Sequence, residues 1–63
     1  MQTYLATLRY HTPTGAPVVL PFRVVAKSEK QAARIAERRA RSEGRRVGRV
    51  DGCDVQKIEE GNP

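Results

Sequence analysis

Along residues 3 to 10, TYLATLRY, apolar side chains recur at every second position: Tyr4, Ala6, Leu8 and Tyr10 fall on one side, Thr3, Thr7 and Arg9 on the other. A period of two is the spacing of a strand with one buried face. Leu5 interrupts the polar side, which predicts that the second face is partly covered. From Val18 to Ala26 the chain reads VVLPFRVVA, rich in β-branched residues, with Leu20, Phe22, Val24 and Ala26 in step. This predicts a second strand. Pro21 has no N–H to offer a ladder, so it places that strand at a sheet edge or beside a bulge. Between the two runs lies HTPTGAP, whose prolines and glycine predict a loop, and an antiparallel hairpin follows.

The period then changes. Ser28 stands three residues before Gln31, the spacing of a capping box, and Ala32, Ile35, Ala36 and Ala40 follow at i, i+3, i+4 and i+8. Gly44 supplies the residue past the last turn that tolerates positive φ. A helix is predicted over 29 to 43, with a narrow stripe of small residues that lets it lie close on a sheet.

In the last segment, RRVGRVDGCDVQKIEE, Asp51-Gly52 is a strong two-residue hairpin signal. It predicts short strands at 46 to 50 and 53 to 58, with Val50 facing Cys53 and Arg49 facing Asp54 across the turn. The expected class is α+β: a small antiparallel sheet with one helix on one face, order β-β-α-β-β, or β-β-α-β if the final hairpin does not form. Residues 1 to 60 are expected to make one domain, and 61 to 63 a frayed tail.

At 63 residues the chain is a small domain, which buries only about 60% of the surface its unfolded form exposes. One cysteine rules out an intrachain disulfide, and together with the lack of a signal peptide or an apolar span it predicts a cytoplasmic protein with no membrane contact. The helix is basic, but its apolar stripe has only Ile35 as a bulky side chain, too little to insert at a membrane surface.

Charge changes the picture most. The formal net charge is +5, and residues 27 to 49 alone carry nine basic and three acidic side chains. Within them, Lys30, Arg34, Arg38, Arg41 and Arg45 step by four and three along one helix flank. Like charges at that spacing repel, and phosphates would relieve the repulsion. These five are the candidate nucleic-acid-binding residues. A plain solvated helix face is the competing explanation. Tyr4 and Phe22 belong to the expected core faces, leaving Tyr10, beside His11, as the one stacking candidate.

Catalytic chemistry finds little support. His11 and Cys53 form no recognisable nucleophile motif, and a lone cysteine in a strand is usually a small hydrophobe. Asp51 reads as a turn former and Asp54 as the partner of Arg49, rather than as metal ligands. Neither GxGxxG nor GxxxxGK[ST] occurs, and no cofactor is expected. The general layout resembles that of many small phage or mobile-element proteins that bind larger host machines, a likeness of architecture alone. The expected function is a non-enzymatic module that contacts nucleic acid or a nucleoprotein complex. The alternative is a protein-interaction module or inhibitor that acts through its sheet face or edge, on an acidic protein surface or a larger host protein. A homodimer, by edge pairing or by face packing, is compatible with either.

Overall fold

A computed structural model describes residues 1–58 of the chain. It contains β1 (Gln2–His11), β2 (Pro17–Ala26), α1 (Glu29–Ser42) and β3 (Arg49–Ile58). The strands form one antiparallel sheet in the order β2-β1-β3. The architecture is α+β in the order β-β-α-β, the shorter of the two expected arrangements.

The alternation in β1 sorts as expected: Tyr4, Ala6, Leu8 and Tyr10 are all buried under α1. Val24 and Ala26 of β2 join them, and Ala32, Ala36 and Ala40 of the helix are fully enclosed. Alanine on the contact stripe brings the helix axis close to the sheet, at the cost of a thin core. Phe22, Ile35, Cys53 and Val55 close one end of this core, and Val18, Leu20, Val47 and Val50 the other.

The local signals act as predicted at both helix ends. Ser28 has extended backbone geometry and its hydroxyl accepts from the Gln31 N–H at 3.2 Å. Gln31 returns a bond to the N–H of Lys27, at 2.6 Å, rather than to that of Ser28. At the other end Gly44 takes φ 81°, and the N–H groups of Gly44 and Arg45 donate to the carbonyls of Arg41 and Ala40. That pair of bonds is a Schellman termination.

The expected hairpin at Asp51-Gly52 does not form. β3 runs straight through both residues and pairs along its length with β1. The register couples Tyr10 to Val50 and Arg9 to Gly52, so Asp51 is left over as a β-bulge. Gly52 lacks the positive φ that a type I′ turn would need there. The reason is long-range. β1 offers ten residues of unsatisfied backbone on its second edge, and a continuous strand satisfies that edge where a local hairpin would leave half of it open. Of the residues expected as the hairpin's first arm, 46 to 50, the first three form the connection from the helix instead, and β3 begins at Arg49. In that connection Gly48 passes so close to the first loop that a Cβ there would lie 2.8 Å from the His11 carbonyl oxygen.

Two side-chain expectations change with the hairpin. Asp54 pairs with Arg9 of β1 at 3.2 Å, not with Arg49. Arg49 instead reaches Asp51, Nε to Oδ1 at 3.1 Å, two residues along its own strand. The expected frayed tail, 61 to 63, lies outside the described residues.

β2 is an edge strand, as Pro21 indicated. Pro21 pairs with Thr7 without disturbing the register, so its missing N–H falls on the outer side. Two residues further on, the Arg23 carbonyl accepts from the Arg39 guanidinium of α1 at 3.2 Å. The helix covers one face of the sheet. Thr3, Leu5, Thr7, Arg9 and His11 of β1 look out from the other, flanked by Val19, Pro21, Arg23 and Val25 of β2.

Candidate nucleic-acid interface

At 3.6 residues per turn, the buried stripe Ala32, Ala36 and Ala40 occupies one side of α1, and Lys30, Arg34, Arg38 and Arg41 project from the side opposite. All four are exposed. Arg45 lies just beyond the helix, also exposed, past the Gly44 stop. The expected row therefore exists as an outward ridge of four cations on the helix and a fifth at its end.

Its members differ in what surrounds them. Arg41 touches Glu37 at 3.4 Å, one turn back, and Arg45 touches Glu43 at 3.5 Å. Cations near a helix C-terminus also gain about 0.3–1 kcal/mol from the helix dipole. Helix stability thus accounts for these two. Lys30, Arg34 and Arg38 are different: among the described residues none has an acidic partner. Lys30 stands in the first turn, at the positive end of the dipole, and Arg34 and Arg38 face each other as like charges at i, i+4.

Arg34, Glu37, Arg38 and Arg41 line a shallow groove of about 330 Å³. Glu37 sits in this groove beside Arg41 and neutralises part of it. Arg39, which is no part of the row, is turned to the opposite flank and donates to the Arg23 carbonyl at the β2 edge.

Stacking chemistry is lacking on this surface. Tyr10, the expected candidate, is 3% exposed and belongs to the core, as does Tyr4, while Phe22 is half-buried against both core clusters. Tyr10 turns inward because it lies in phase with Leu8, under Ala40 and Val50.

The other chemical candidates sit apart from the ridge. Cys53 is half-buried between the two core clusters. Burial pushes its thiol above the usual range; the Asp54 and Glu37 carboxylates add to this, and Arg9 opposes it. The group is held as a thiol, the less nucleophilic form. At the bulge, His11 Nδ1 lies 2.6 Å from Asp51 Oδ2, within ion-pair range but without the alignment of a hydrogen bond. Among the described residues no cluster of three or more His, Cys, Asp or Glu side chains is arranged to hold a metal ion, and no helix is long and apolar enough to cross a membrane.

No protein-family model matches the chain, and no curated protein or solved structure matches it either.

Proposed function

We propose that this protein is a non-enzymatic binding module that contacts nucleic acid, alone or within a nucleoprotein complex, through the outward ridge of α1. The observation that carries this reading is the set Lys30, Arg34 and Arg38: three exposed cations on one helix side, none of them in an ion pair among the described residues, whose mutual repulsion costs the helix that bears them. A phosphate backbone offers anions to such a ridge along its whole length, and each contact releases a condensed counterion. Arg41 and Arg45 extend it, exchanging carboxylate partners for phosphates.

The lack of exposed aromatics among the described residues favours duplex over single strands, since single-strand binders stack bases on aromatic faces. Phosphate contact fixes position without reading sequence, so little sequence preference is expected. A salt series with unrelated DNA and RNA duplexes and single strands tests the reading. Engagement of three to five phosphates on duplex DNA gives a log–log slope of about −3 to −4.5. Absence of binding even near 50 mM salt, on the order of the low end of such series, refutes it.

A second reading, a protein-interaction module or inhibitor working through its sheet, is favoured by Val19 and Val25. These are 61% and 55% exposed on the face that α1 leaves open.

A further inference from the structure

On the reading of the α1 ridge as a phosphate-contacting surface, we infer that Glu37 regulates it: an internal anion that occupies Arg41 and competes with phosphate for it. The carboxylate sets how tightly, and through how many contacts, the ridge holds nucleic acid.

Placement comes first. Glu37 follows the buried Ala36 by one residue, so at 3.6 residues per turn it leaves α1 about 100° from the buried stripe, alongside the ridge. Arg34 precedes it by three and Arg41 follows it by four, the two spacings at which helix side chains meet. It lines the same shallow groove as Arg34, Arg38 and Arg41, the one acid among three guanidinium groups.

Charge then separates Glu37 from the other acids of the segment. Glu29 stands in the first turn, where a carboxylate suits the positive end of the dipole, and Glu43 caps the other end beside Arg45. Glu37 stands mid-helix, where the dipole gives it no such role. Its ion pair with Arg41 spans 3.4 Å between side chains that are both about half exposed, so it is of the weak, solvent-screened kind. Arg41 can give up such a partner for a phosphate. Glu37 is then left unpaired beside a polyanion and must draw a cation from solution. The counterion that the phosphate releases is offset by the one that Glu37 takes up, so Arg41 adds little to affinity or to salt dependence. The parent chain thus relies on Lys30, Arg34 and Arg38, near the three-contact end of the expected slopes.

Glu37→Gln tests this, since it keeps the size and helix preference of the side chain and removes its charge. Duplex DNA should bind the variant roughly eightfold more tightly near 0.1 M salt, with a log–log slope steeper by about 0.9, as one added phosphate contact gives. A pair that merely supported the helix would change melting and leave that slope alone. Arg41→Gln should cost the parent little and cancel the gain in the Glu37→Gln background. Asp54→Asn raises the net charge equally, but on the sheet face away from α1, and should bind like the parent. Fluorescence anisotropy over a salt series measures each chain, with circular dichroism to confirm folding. Unchanged affinity and slope in folded Glu37→Gln overturn the inference and leave the ridge itself standing. So does an equal gain in Asp54→Asn, or an equal cost of Arg41→Gln in both backgrounds. If neither the parent nor Glu37→Gln binds at salt on the order of 50 mM, the ridge is no phosphate surface and the inference falls with it.

Discussion

The carboxylate of Asp51 lies 2.6 Å from Nδ1 of His11, joining the one residue of β3 that has no ladder partner to the last residue of β1. The other oxygen of Asp51 takes Arg49, so both sides of the carboxylate are occupied where the bulge bends the strand. The group is partly exposed, and ion pairs in that setting contribute up to about 1 kcal/mol. Asp51→Ala should therefore lower stability by no more than about 1 kcal/mol. Chemical denaturation at low and high salt should show the loss shrinking as salt rises.

The bulge and a type I′ turn at the same residues predict opposite outcomes at two glycines. A Cβ at Gly52 would meet only the end of the Arg9 side chain, 2.7 Å away, and that flexible chain can move. At Gly48 the obstacles are backbone: the His11 carbonyl oxygen at 2.8 Å, with Pro13 N and Thr12 C at 3.0 Å. Gly48→Ala is expected to cost about 1–3 kcal/mol, as overpacking does. Gly52→Ala should stay within about 1 kcal/mol of the parent, the backbone-entropy gain offsetting the disturbed Arg9. Thermal or urea melts of the two variants compare them directly, and the reverse order would indicate the turn.

What the sequence revealed and what it hid divide by the range of the forces involved. The Ser28 cap and the Gly44 stop are decided within a few residues of themselves, and both were readable. The Asp51-Gly52 pair suits a tight turn and a bulge equally well, and a distant strand decides between them. The same blindness moved Asp54 from Arg49 to Arg9, since a cross-strand partner depends on which strand lies alongside. At the candidate interface the ridge was legible from helical spacing alone. The bond of Arg39 to the β2 edge was not, because it needs the position of that edge, whereas the phase of Tyr10 with Leu8 indicated its burial and only its place at the strand end suggested a stacking role.

Charge reversal at Arg34 and Arg38 isolates the two central cations of the ridge without touching Ala32, Ala36 or Ala40. Arg34→Glu/Arg38→Glu should bind duplex DNA far more weakly and flatten the salt dependence by about 2 in slope, one for each lost phosphate contact. Circular dichroism should be unchanged. Fluorescence anisotropy over a salt series gives both quantities, and a folded double variant that binds as tightly as the parent would reduce the ridge to a solvated face.

Cys53 makes stability depend on pH in a defined direction. Its thiol is raised in the folded chain, mainly by burial, so the native state keeps the proton that the unfolded state gives up near its ordinary value of about 8.5. Above that pH the unfolded chain binds fewer protons than the native one, and stability falls. The contribution is complete below that value and is lost as pH climbs towards the folded value. Melts between about pH 7 and 9.5, a range that brackets the free thiol, should decline less steeply for Cys53→Ala than for the parent. Equal slopes would show that the alkaline decline has another source.

Pro21 and the Arg39 bond to the Arg23 carbonyl have a bearing on aggregation. Open-ended strand-by-strand polymerisation needs two different edges, one to accept and one to be accepted, so that each added copy exposes a fresh template. On the β2 side one donor is missing and one acceptor is already occupied by the molecule's own helix. Strand addition at β2 is thereby weakened, and addition at β3 between like edges closes on itself after two chains, so both edges slow growth into a fibril.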